Sequence, residues 1–197
     1  MKRTLVLALA SLLIAGTAQA QSRPGETVRP FFGMGLTFGG DRLEEFDFSN
    51  GTSSTVRTGG IIHLQAGVDV ALGGPISMQA NIGYHADSAN GSNGDYEFTR
   101  MPVELLAFVS LTDNFRLGGG VRHAFDAQVN SSGAVGGFDS DFKTRTGVVV
   151  EGEYFFADRF SVKVRAVSEK FEGKSGVYRG RTFDGTHGGV YGSFYFF

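Results

Sequence analysis

Eight stretches of this chain alternate two kinds of side chain with a period of two, and no stretch beyond residue 20 repeats with a helical period. That pattern confines the fold to strands with two unlike faces. The stretches fall at about 29–40, 58–72, 76–86, 97–111, 115–126, 142–156, 160–171 and 183–197. In the second, Ile62, Leu64, Ala66, Val68, Val70 and Leu72 oppose His63, Gln65, Gly67 and Asp69. In the fourth, Met101, Val103, Leu105, Ala107 and Val109 oppose Arg100, Glu104 and Ser110, with Leu106 and Phe108 interrupting the polar face. The sixth and seventh set valines and aromatics against Lys143, Arg145, Glu151, Glu153, Lys163 and Arg165. Several strands have an apolar face unbroken by charge; the other face carries charge, amides and glycine.

The connections alternate too. Gly73-Gly74-Pro75, Thr112-Asp113-Asn114 and Ala157-Asp158-Arg159 read as three-residue turns. The stretches 41–57, 87–96, 127–141 and 172–182 read as long polar loops. Short turns on one side and long loops on the other suit a barrel that crosses a bilayer, with the apolar face toward lipid. A soluble barrel would turn the apolar face inward, and a secreted β-sandwich would also show alternating strands.

The N-terminus decides the compartment. Lys2 and Arg3, the apolar run Leu5–Ala15 and Ala18-Gln19-Ala20 form a secretory signal peptide, which leaves residues 21–197 as the mature β-barrel domain. The apolar run is too short to span a membrane as a helix. Removing Lys2 and Arg3 from 18 basic residues leaves 16 against 20 acidic, a net charge of −4, which gives no basis for binding nucleic acid. With no cysteine there is no disulfide framework and no thiolate metal site.

The chain ends on Val190-Tyr-Gly-Ser-Phe-Tyr-Phe-Phe197. Gly192, Tyr195 and Phe197 fill the glycine and aromatic positions of the C-terminal insertion signal of bacterial outer-membrane barrels, with Val190 at the usually polar position. With this ending, the mature chain resembles the small eight-stranded outer-membrane barrels of the OmpA-transmembrane-domain and OmpX type. The resemblance implies an all-β, eight-stranded, antiparallel, transmembrane up-and-down barrel, monomeric in the bacterial outer membrane, with a polar interior filled by side chains. It implies outer-membrane lipid, lipopolysaccharide and the barrel-assembly machinery as partners, and an extracellular ligand reached through the long loops. Family roles include structural anchors, adhesion proteins and a few lipid-modifying enzymes. Trp is absent, so Phe and Tyr must supply the interfacial belt, with Phe32, Phe38, Tyr84, Phe115, Tyr154, Phe156, Phe160, Tyr191, Tyr195 and Phe197 as candidates.

Turn length predicts register. Three-residue turns place Leu111 opposite Phe115 and Phe156 opposite Phe160. Counting back pairs Glu104 with Arg122, Glu151 with Arg165 and Glu153 with Lys163. Each pair joins opposite charges on the inward parity, so an ion-paired lumen is expected, and a narrow small-solute channel is the alternative. The same arithmetic sets His63 opposite His85; two imidazoles without a third ligand make no metal site, and no cofactor is implied. His123 and His187 are expected to face outward at headgroup depth. Arg57, Arg100, Lys143, Arg145, Lys170, Arg179 and Arg181 lie toward the extracellular side, where phosphates are in reach. His85-Ala-Asp-Ser88 invites comparison with the lipid A deacylase motif, but a His-x-x-Ser spacing puts the two side chains on opposite faces of a strand, which disfavours an enzyme.

Overall fold

The computed structural model describes residues 27–47, 53–91, 94–133 and 136–196. Residues 1–20, read above as a signal peptide, and Phe197 lie outside them. The alternating stretches pair side by side until the last meets the first. In chain order the strands are β1 (Val28–Gly39), β2 (Arg42–Asp47), β3 (Ser53–Arg57), β4 (Ile62–Gly73), β5 (Ile76–Gly91), β6 (Gly94–Ser110) and β7 (Phe115–Ser131). There follow β8 (Ser140–Thr144), β9 (Gly147–Ala157), β10 (Phe160–Ser168), β11 (Lys170–Gly173), β12 (Thr182–Asp184) and β13 (His187–Tyr195). The ring runs β1, β4, β5, β6, β7, β9, β10, β13 and back to β1, every neighbour antiparallel. Closure from Phe31↔Tyr195 to Gly39↔His187 leaves no free edge in the eight-stranded wall, as a bilayer demands.

The wall faces lipid with Met34, Val150 and Val164, each about 60% exposed, and with a row of further valines, leucines and phenylalanines. So much contiguous apolar surface is unsuited to water and matches an apolar belt. No helix among the described residues is long and apolar enough to cross a membrane.

Two of the three expected turns are tighter than three residues. Gly73 pairs with Ile76, and Ala157 with Phe160, so only Gly74–Pro75 and Asp158–Arg159 remain as loops. A bulge beside each turn then restores the expected register: Ala71 faces Ser77 and Phe155 faces Ser161. Gly73 and Gly74 take φ of 108° and 58°, which residues with a Cβ rarely adopt. At the third turn Leu111 N–H donates to Phe115 O at 2.9 Å, as the three-residue count requires.

The stretches read as long loops fold instead. β5, β6 and β7 run to 16, 17 and 17 residues, beyond the roughly 9–11 that cross a bilayer. Their excess length stands above the membrane, extended by β8, β11 and β12 and covered by the β2–β3 hairpin. The polar face of each segment masks a buried apolar one. Leu43, Val56, Tyr96, Phe98, Phe142, Phe171, Tyr178 and Phe183 gather into one core, with Phe46 and Phe138 packed against it. The barrel thus carries, at the end opposite the short turns, a head with its own core.

Candidate functional site

The lumen is assembled from the inward parity of the eight wall strands. The expected partners lie directly opposite one another in the ladders: Glu104↔Arg122, Glu151↔Arg165 and Glu153↔Lys163. Glu104 Oε1 accepts from Arg122 Nη1 at 2.7 Å, Arg165 Nε lies 3.2 Å from Glu151 Oε2, and Lys163 Nζ lies 3.7 Å from Glu153 Oε2. The structure then joins the three pairs to each other. Arg165 Nη2 donates across the lumen to Glu104 Oε2 at 2.6 Å, and Lys163 Nζ reaches Glu151 at 3.1 Å.

Four further charges extend the chain at both ends. Arg116 pairs with Glu153 at 2.7 Å and also with Asp69. Arg122 Nε donates to Glu169 Oε2 at 3.0 Å, and Arg100 lies 3.5 Å from Glu169. The result is one file of alternating sign along the barrel: Asp69, Arg116, Glu153, Lys163, Glu151, Arg165, Glu104, Arg122, Glu169, Arg100. Five acids meet five bases, all buried. In a low-dielectric interior such a file holds only if every charge has neighbours of opposite sign, and here each has at least one.

Each end of the file is stoppered. Toward the short turns, Tyr195 donates to Glu153 Oε1 at 2.7 Å, accepts from Arg116 at 3.0 Å and stacks on Phe31. The Arg29 guanidinium lies over the Tyr195 ring and donates to Asp158 O at 2.7 Å, tying β1 to the β9–β10 turn. Leu106 and Phe108, which interrupt the polar face of β6, fill the lumen with apolar bulk; the Arg116 guanidinium sits 4.3 Å over the Phe108 ring.

Toward the head, three histidines close the bore. His63 and His85 stack at 4.8 Å, and His187 meets His85 edge-on at 5.1 Å. Thr37 Oγ1 and His85 Nε2 are 2.8 Å apart, and Arg122 Nη2 is 3.2 Å from His85 Nδ1. Arg100 Nη2 also lies 3.4 Å from His85 Nε2, so guanidinium donors approach both ring nitrogens. His63 Nδ1 is engaged with Tyr191 Oη at 2.8 Å. Stacked rings do not point their nitrogens at a common centre, and among the described residues no group of three His, Cys, Asp or Glu is placed to hold a metal ion. Above the histidines, Arg100 lies between the Phe98 and Phe171 rings at the floor of the head core.

Several expected positions need correction. Tyr191, Tyr195 and His187 are buried in the lumen, not facing lipid or headgroups. The final strand has apolar residues on both faces, and its neighbours decide which turns inward. On β1 the inward positions opposite it include Gly33 and Gly35, and a Cβ on Gly35 would overlap the Tyr191 ring. Glycine there makes room for tyrosine, and the hydroxyls find partners only inside. Val190, Phe194 and Phe196 take the outward side, and so does Gly192. Gly192 and Tyr195 therefore lie on opposite faces. Arg100, counted among extracellular cations, is buried. His123 stays half-buried on the outward side beside Phe125. His85 turns inward and Ser88 outward, so that motif brings no nucleophile to its base.

The comparisons agree with this architecture. The family model described as outer membrane protein beta-barrel domain matches residues 5–187. The structure of Ail, the attachment invasion locus protein of Yersinia pestis, solved with the heparin analogue sucrose octasulfate, is similar with a TM-score of 0.50 at 9% identity, covering 86% of this chain and 97% of Ail. Neisserial surface protein A gives a TM-score of 0.47 at 10% identity, covering 87% and 98% of the two chains. No curated protein sequence matches the chain. With a closed eight-stranded wall, an apolar belt and a family match over most of its length, the chain belongs to the outer membrane protein beta-barrel family and resides in the bacterial outer membrane.

Proposed function

We propose that this protein is a non-conducting stem that displays its extracellular head at the cell surface, in a structural or surface-interaction role. The observation that carries the reading is the sealed lumen: a ten-charge file stoppered by Tyr195 at one end and by histidines and the head core at the other. An eight-stranded barrel leaves an interior only wide enough for side chains, and here the side chains pair with one another. The head, by contrast, ends in Lys174–Arg181, a turn that buries Tyr178 in the head core and leaves Val177 half exposed among Lys174, Arg179 and Arg181. Loops held on a rigid scaffold are where binding resides.

The test compares cells displaying the full chain with cells displaying the Lys174→Ala, Val177→Ala, Arg179→Ala variant, which changes exposed positions and leaves Tyr178 in the head core, each probed against immobilised host-surface proteins. Capture by the full chain and loss of capture by the variant, at equal barrel abundance, is the expected outcome. Equal capture by both would remove the head from the binding role.

We also infer that Gly192, with the terminal aromatic Phe197, is read by the barrel-assembly machinery. A Cβ at Gly192 would have no atom within 4 Å, so packing gives no reason for glycine there. Gly192→Ala is expected to leave unassisted refolding and thermal stability unchanged while lowering the amount inserted in cells. A fall in unassisted refolding instead would assign Gly192 to packing.

A further inference from the structure

The outward surface of the head is charged unevenly, and its basic part continues the membrane-facing wall. On β8, β11 and β12 the side chains that point away from the head core form two rungs, Arg145–Lys170–Asp184 and Lys143–Glu172–Thr182. Below them lies a tier of exposed hydroxyls, Thr146, Ser168 and Thr186, and below that the lipid-facing Val148 and Ala166. Arg145 is three residues from Val148, about 10 Å along a strand and less in height once the strand tilts. That interval is the headgroup layer.

Arg145 makes only a 3.9 Å contact with Glu172, both exposed, and among the described residues Lys143 and Lys170 have no ion pair within 4.0 Å. Asp184 faces Lys170 across the first rung; the Thr186 hydroxyl and backbone N–H hold its carboxyl below the usual range, and the Lys170 charge adds to this. Across the barrel, the upper outward positions of β5 and β6 carry Ser88, Asp95 and Glu97 and no cation. An anion at headgroup depth is attracted to one side of this barrel and repelled from the other.

We propose that Lys143, Arg145 and Lys170 form a binding site for the phosphate of an outer-leaflet lipid, with Thr146 and Ser168 as hydroxyl donors beneath. The occupant is lipid-borne because the cations share a face with Val148 and Ala166, so a phosphate seated there has its acyl chains against that wall. Ammonium and guanidinium groups supply charge-assisted hydrogen bonds to phosphate oxygens, and these are stronger than neutral ones. The site rests on the outer-membrane placement alone and is independent of lumen conductance and of any ligand of the head.

The test uses the full mature chain refolded in phosphatidylcholine bilayers doped with bisphosphorylated lipid A, with lipid retained after detergent exchange counted by native mass spectrometry. Wild type is expected to retain lipid A, and Lys143→Gln, Arg145→Gln and Lys170→Gln are each expected to weaken retention by about tenfold. Arg159→Gln, in the β9–β10 turn at the opposite end of the barrel, is expected to retain it like wild type. The single variants keep the test valid if the triple variant fails to refold. Undiminished retention by all three singles and the triple would overturn the site, as would equal retention of dephosphorylated lipid A. Full competition by millimolar inorganic phosphate would make it a soluble-anion site and overturn the lipid assignment.

Discussion

Glu104→Ala is expected to destabilise the barrel more than any other single change in the lumen, by on the order of 3–5 kcal/mol. Glu104 sits inside the charge file and holds two arginines, Arg122 at 2.7 Å and Arg165 at 2.6 Å, closer than Glu169 holds Arg122 and Arg100 at 3.0 and 3.5 Å. Its removal leaves two buried guanidinium groups with reduced compensation. Adding Arg122→Ala restores charge balance at that point and is expected to recover part of the loss, so the two substitutions should be non-additive. Glu151→Ala should cost less, because Arg165 keeps Glu104 and Lys163 keeps Glu153. Arg165→Ala added to Glu151→Ala should again give partial relief. Urea unfolding of the refolded variants in lipid vesicles measures all of these. Strictly additive costs would mean that the charges stand independently in a wet lumen.

How much of this was legible in the sequence depends on whether the information lay between adjacent strands. Glu104–Arg122, Glu151–Arg165 and Glu153–Lys163 are ladder neighbours, so turn length and parity suffice to place them. Arg165–Glu104, Arg116–Asp69 and Arg122–Glu169 cross the lumen between strands that do not pair, and no count along the chain reaches them. Asp69 and Arg116 were on the inward parity and in view; what was missing was the bore that brings them together. His187 was lost with the parity of its strand, where alternation is uninformative because Tyr195 and Phe194 make both faces aromatic. The inward glycines of β1 were the available signal, since a lumen with Gly33 and Gly35 on one strand needs large rings from its neighbour.

The head was illegible for another reason. Its core takes one or two residues from each of several segments, as with Leu43, Val56, Phe142, Phe171 and Phe183, and each sits among polar residues. Strands of three to six residues are too short for alternation to stand out from loop composition. Once the wall is closed, β7, β9 and β10 bring these pieces side by side and the apolar positions meet.

Single-channel recording in planar bilayers tests the sealed-lumen account most directly. Ion passage needs a continuous aqueous path, and the lumen is filled along its length by paired charges, by Leu106 and Phe108, by the three histidines and by the head core. The wild-type protein, inserted and shown to be folded, is expected to give a flat baseline with no resolved openings across the voltage range and at high salt. A large, stable conductance step from the wild-type barrel would contradict the account and make the protein a channel.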